Sequence, residues 1–186
     1  MLADGLTRSS RAHILRGWMP IPSLTLDGLL PPGRHSATED EVRAAFVDAY
    51  PTSGTRADLF VRWLEHRRAL ELILGSYRQW VNGSFVTAKT DPGDIDVVTS
   101  FDPTAIRSLL PREREALGTL LDAIQARAAY CCHSFYVPLY PLSHPERPLT
   151  DAGERIWDGL WSSVSPKPPF GAMRFRSQHK GYLELK

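Results

Sequence analysis

The chain has 186 residues, 42% of them hydrophobic, and its 22 Lys+Arg against 21 Asp+Glu leave a formal net charge of +1. A chain of that length buries one good core, so a single domain is expected, and the charge balance excludes the broad basic footprint of a general nucleic-acid binder. No run of about eighteen apolar residues occurs, which excludes a membrane-spanning helix. Asp4, Arg8 and Arg11 interrupt the stretch where a secretory signal needs its apolar centre, and the adjacent Cys131 and Cys132 make no disulfide framework, so a cytoplasmic protein is expected.

In chain order, residues 1–29 read as an N-terminal arm whose apolar end, "GWMPIPSLTLDGLL", lies against a body formed by residues 30–186. "LPPGRH", residues 30–35, reads as a rigid turn that opens a helix, with capping-box spacing at Ser36 and Glu39 or at Thr38 and Glu41. A second helix is expected from Arg56 to Leu74, because Leu59, Trp63, Leu70 and Leu74 fall on one stripe while Arg62, Glu65 and Arg68 fall outside it. Tyr77 to Val81 and the run Ile95-Asp96-Val97-Val98 read as strands, with Asp91-Pro92-Gly93 as a turn between them. Residues 104–128 read as helical with an interruption near Pro111. Residues 129–140, "AYCCHSFYVPLY", read as a central strand, and residues 150–163 as a helix carrying Ile156, Trp157, Leu160 and Trp161. "AMRFRS" and "GYLELK" close the chain as a hairpin. This loose alternation suits one mixed α/β (α+β) domain with helices packed on one side of the sheet.

The chemistry concentrates in residues 80–100. Asp94 and Asp96 alternate with Ile95 and Val97, so both carboxylates share one strand face while their neighbours enter the core. A hairpin with a polar tip accounts for the turn but not for this alternation. Two adjacent carboxylates repel unless a cation or proton lies between them, and hard oxygen ligands of this kind suit Mg²⁺, or Mn²⁺, shared with substrate phosphates. Gly83 permits close approach of backbone to a ligand, Ser84 offers a hydroxyl and an N–H, and Lys89 adds a point charge for the same phosphates.

Gly83-Ser84, nine intervening residues and then Asp94-Ile95-Asp96 resembles the signature of the polymerase-β-type nucleotidyltransferase superfamily. The longer string Gly83-Ser84-Phe85-Val86-Thr87, with Lys89, Pro92, Asp94-Ile95-Asp96 and the upstream "LPPGRH", is closer still to an uncharacterised bacterial branch carried as a domain of unknown function. The resemblance implies a nucleotidyltransferase-like sheet and Mg²⁺-dependent transfer of NMP from an NTP to a hydroxyl on a protein, a tRNA end or a small molecule. It also implies metal carriage by Asp94 and Asp96, triphosphate binding by Gly83, Ser84 and Lys89, and a toxin–antitoxin or phage-defence setting.

Such enzymes take a third carboxylate from a neighbouring strand, and the strand expected to supply it, 129–140, contains no acid. Asp102 would lie roughly 20 Å along the motif strand, and Glu184 serves only if the last strand borders the motif. His133 is the remaining candidate, as base or ligand. If the Cys132 and Ser134 face of that strand meets the two aspartates, an acid placed there would restore the third ligand. Without one, a degenerate protein that binds nucleotide or a partner protein without turnover is the alternative. Arg62, Arg67, Arg68 and Arg78 are the cations available for RNA, Lys180 ahead of the last strand is a candidate phosphate contact, and Trp157 and Trp161 read as core.

Overall fold

The computed structural model describes residues 21–164 and 179–186. Five strands form one mixed sheet: β1 (Gly33–Ser36), β2 (Arg78–Asn82), β3 (Ile95–Phe101), β4 (Cys132–Pro138) and β5 (Gly181–Leu185), in the order β1-β5-β2-β3-β4. The β2–β3 and β2–β5 pairs are antiparallel, and β1–β5 and β3–β4 are parallel. Around them lie α1 (Glu39–Arg43), which continues as a wider π-helical turn over Ala44–Asp48, α2 (Arg56–Leu74), α3 (Pro111–Leu121), α4 (Ala123–Tyr130) and α5 (Arg147–Trp161).

α1 starts at the Thr38 and Glu41 capping box, where Thr38 Oγ1 accepts from Glu41 N at 3.2 Å and Glu41 Oε2 accepts from Thr38 N at 2.7 Å. α2 has the expected bounds, and Leu59, Trp63 and Leu70 are buried along its stripe. Trp63 Nε1 donates to Gln79 Oε1 at 2.8 Å, and Gln79 Nε2 donates to Thr99 Oγ1 at 3.1 Å. This buried polar chain joins α2 to β2 and β3, and because the bonds are satisfied it specifies register as well as stability. The helical region after β3 breaks as a 3₁₀ segment at Pro103–Ser108, then α3 opening on Pro111, then α4 capped by Asp122.

Several expectations are corrected. Gly33–Ser36 forms a strand rather than a turn opening directly into a helix, because β5 offers it a parallel partner. β4 is an edge strand, and β2 is central. β5 has both edges taken, by β1 and β2, so it is an inner strand rather than half of a terminal hairpin; residues 172–177 lie outside the described residues, as does most of the arm. Of the arm's end, Ile21 and Leu24 pack on the core, and Ala88 N donates to Gly28 O at 2.8 Å. The helices also lie on both faces. α2 covers Val81, Val97 and Leu183, whereas Trp161 of α5 packs with Trp80, Val98 and Tyr182, the adjacent residues that point the other way. Among the described residues no helix is long and apolar enough to cross a membrane.

Two of the arginines considered for RNA are structural. Arg67 is 8% exposed and donates through Nε to Glu39 Oε1 at 2.6 Å, while Arg78 is ion-paired to Glu154 and Glu184.

Arg56, the first residue of α2, is 1% exposed and carries no ion pair among the described residues. Its Nε donates to Thr90 O at 3.2 Å, Nη1 to Phe46 O and Phe85 O at 2.7 Å each, and Nη2 to Thr87 O at 2.7 Å and Lys89 O at 2.6 Å. All five guanidinium N–H groups are thereby used, and the charge lies 3.9 Å from the Tyr50 ring centroid. Burial lowers its pKa, but an arginine stays charged at any pH where the fold survives. Arg56→Met leaves those carbonyls without donors, at about 1–3 kcal/mol for each that water cannot reach. We expect a loss of at least about 3 kcal/mol in urea melts, with Arg56→Lys, which has three donors, intermediate.

Candidate functional site

β2 ends at Asn82, and Gly83 follows with φ 84 and ψ −165, a conformation essentially reserved for glycine. A single 3₁₀ turn, Ser84–Val86, then buries Phe85 and Val86 and sends the chain round the Arg56 guanidinium. Strand register does the rest. Asn82 stands opposite Asp96 on β3, and Asp96 stands beside His133 on β4, so the three side chains form a row across the sheet on the face that α5 covers. Asp94 lies one residue ahead of β3, whose entry is held by Ile95 N donating to Cys131 O at 3.0 Å.

The structure brings every sequence-predicted site residue together. Gly83, Ser84, Lys89, Asp94, Asp96 and His133 line one cleft of about 500 Å³, a size in the range of ligand sites. Its far wall is aromatic, from Phe135, Trp157 and Trp161. The two tryptophans thus pack on the sheet, as expected, and also face the cleft. Lys180 completes the polar end, placed by its N–H bond to Ser162 O at 3.0 Å.

Asp96 is the most constrained member. A Cβ at position 83 would lie 2.1 Å from Asp96 Oδ2, so only a glycine leaves the carboxylate its place. Asp96 Oδ1 is 3.1 Å from His133 Nδ1. With Asp96 ionised and the imidazole neutral, the hydrogen lies on Nδ1 and Nε2 is the acceptor. Burial raises the Asp96 pKa, and the Asp94 charge raises it further, against the opposing pull of His133 and then Lys180. Burial likewise lowers the Lys180 pKa, opposed by Asp96. Asp94 Oδ2 is ion-paired to Arg127 Nη2 at 2.8 Å, but the Arg127 side chain is 60% exposed, so the pair is a weak surface contact that a cation can displace.

Two proposed third acids are elsewhere. Glu184 is 3.4 Å from Arg78 Nε and pairs in register with Trp80, one strand beyond the row. Asp102 caps the 3₁₀ segment after β3. The condition set for Cys132 and Ser134 fails: both are buried on the α2 face, opposite His133, and burial pushes the Cys132 thiol well up, as befits an inert core residue. Among the described residues no three His, Cys, Asp or Glu side chains form a metal cage. Asp94 and Asp96 are the carboxylates that line the cleft, and hard oxygen ligands of this kind could hold a divalent cation.

A family model matches residues 22–186. The chain belongs to DUF6932, a family of unknown function. No curated protein and no solved structure matches it. The DUF6932 match takes in the end of the arm, where Leu29 reaches the cleft wall. Sequence reasoning missed Asn82 and Phe135, whose only signal was their parity with Trp80 and with His133 along their strands.

Because Asp96 titrates higher in the fold than in the unfolded chain, its ionisation opposes folding. That penalty is absent below the unfolded aspartate pKa of about 4 and complete once pH exceeds the folded value. Asp96→Asn should therefore be more stable than the wild type at pH 7, with the advantage shrinking to nothing as urea melts are taken to acid pH. Gly83→Ala should lose about 3 kcal/mol at either pH from backbone strain and the clash with Asp96, read as a Tm fall of roughly 6–12 °C.

Proposed function

We propose that this DUF6932 chain is a nucleotidyltransferase-like protein that binds a divalent cation and an NTP in the cleft and transfers NMP to an acceptor hydroxyl. The observation that carries the reading is the packing of Asp96 against a glycine that could be no other residue, beside Asp94 and at the mouth of the Ser84 turn. Asp94 and Asp96 would hold Mg²⁺ or Mn²⁺, whose chemistry when bound is to neutralise charge on the triphosphate. Ser84, Lys89 and Lys180 supply an N–H, a hydroxyl and two cations for the phosphate oxygens. The acceptor oxygen attacks the α-phosphorus, the bond to the β-phosphate bridging oxygen breaks, and pyrophosphate leaves. The acceptor proton passes to His133 Nε2, which Asp96 leaves unprotonated by holding the hydrogen on Nδ1. His133 in this reading does the base's work that a third carboxylate does elsewhere.

A second reading is supported by the same geometry: a protein that binds Mg-nucleotide without turnover, because among the described residues no third carboxylate joins Asp94 and Asp96. Arg67 and Arg78 are tied into the fold, which favours a protein or small-molecule acceptor over an extended RNA.

Two measurements separate these readings. An NTP at about 100 times its Kd, with Mg²⁺, should stabilise the wild type by about 2.7 kcal/mol, a Tm rise of roughly 5–10 °C. The double variant Asp94→Asn/Asp96→Asn should lose that rise. Transfer from α-labelled NTP into lysate protein and RNA should fall about 100-fold or more in His133→Gln, the scale of a lost general base, while the thermal shift persists. A thermal shift with no transfer from the wild type selects the second reading, and neither signal rejects both.

A further inference from the structure

Asn82 is 2% exposed, yet it forms part of the cleft lining, where it stands between Trp161 and Gly83. Its Nδ2 donates to Trp161 O at 3.4 Å, and its Oδ1 is buried with no donor among the described residues. The orientation is not interchangeable, since a flipped amide would set one oxygen against another. A buried amide oxygen needs a donor to offset its lost hydration, and at Asn82 the cleft is where a ligand can bring one.

The cleft lining holds an aromatic group, Phe135, Trp157 and Trp161, and a polar group, Gly83, Ser84, Lys89 and Lys180. Asn82 touches both, bonded to Trp161 O and directly preceding Gly83, and it stands beside Asp96 in register. A nucleotide carries the matching kinds of chemistry: a flat base, a sugar, and phosphates. Phosphate oxygens only accept and cannot satisfy Asn82 Oδ1, nor can the face of a base. A sugar hydroxyl donates.

We propose that Asn82 Oδ1 accepts a hydrogen bond from a ribose hydroxyl of the bound NTP, with the base against the aromatic wall, so that the cleft selects ribonucleotides over deoxyribonucleotides. The proposal rests on the nucleotide reading above and adds the sugar to it. A site built to pair a hydroxyl rejects the analogue that lacks it, because its own polar atom is then left buried and unpaired.

The test is titration calorimetry of the full chain with Mg²⁺ and each of three probes: ATP, 2′-deoxy-ATP and 3′-deoxy-ATP. The wild type should bind ATP about tenfold more tightly than one of the two deoxy forms, the scale of one hydrogen bond, and the weaker form identifies the hydroxyl. In Asn82→Ala the ribo and deoxy affinities should become equal, and Asn82→Ser, which keeps an acceptor, should retain part of the difference. Equal wild-type affinity for all three probes overturns the proposal, and that comparison stands even if neither variant folds. Discrimination that survives Asn82→Ala also overturns it, as does a uniform loss of affinity for all three probes, which would make Asn82 a metal or phosphate contact. Binding of none of them defeats the nucleotide reading itself.

Discussion

Five backbone carbonyls, from Phe46 and from four residues between Phe85 and Thr90, converge on the Arg56 guanidinium, and the connection between β2 and β3 takes its shape from that convergence. A loop of irregular backbone cannot ordinarily lie against a core, because its carbonyls lose water without gaining partners. Here one planar cation on the first turn of α2 supplies every donor it has. The loop can therefore pass close to the sheet, bury Phe85 and Val86, and hold Lys89 at the cleft while its carbonyl is spoken for. Asp91 ties the far end by accepting from Ser53 Oγ at 3.0 Å and Gly54 N at 2.8 Å. The turn at Gly83 and the aspartates that follow are thus set by a helix on the opposite face of the sheet.

The site itself is an outcome of strand register more than of loop geometry. Asn82, Asp96 and His133 are neighbours because β2, β3 and β4 pair in one alignment, and a slip of one residue would turn all three into the α2 core. The Trp63–Gln79–Thr99 chain resists that slip from the other face, since it is satisfied in only one alignment. The two faces divide the labour. The α2 side is a packed apolar core, while the α5 side leaves a polar row and an aromatic wall partly uncovered. Burial and the Asp94 charge both raise the Asp96 pKa there, a penalty on the carboxylate that a nearby cation would relieve.

Local sequence was enough for α2, for the Thr38 and Glu41 capping box, for the strand character of β2, β3 and β4, and for singling out Gly83, Ser84, Lys89, Asp94 and Asp96. Each of those rests on physics that acts over a few residues: a hydrophobic stripe at helical spacing, a side chain that satisfies a backbone donor three residues away, alternation along a strand, a glycine where no Cβ fits. What only the tertiary structure decided is which surfaces those elements share. β1 is a strand because β5 lies beside it, Gly33 pairing in register with Gly181 from the far end of the chain. Arg56 looks like any solvated residue at a helix start until five distant carbonyls surround it. His133 rather than Cys132 meets Asp96 because parallel pairing of β3 with β4 sets the parity, and Asn82 becomes an orphan acceptor only once α5 brings the Trp161 carbonyl over it. Pairing partners, strand order and the side on which a helix lands are long-range choices, made by total burial and hydrogen-bond satisfaction across the whole sheet, and no short window of sequence contains them.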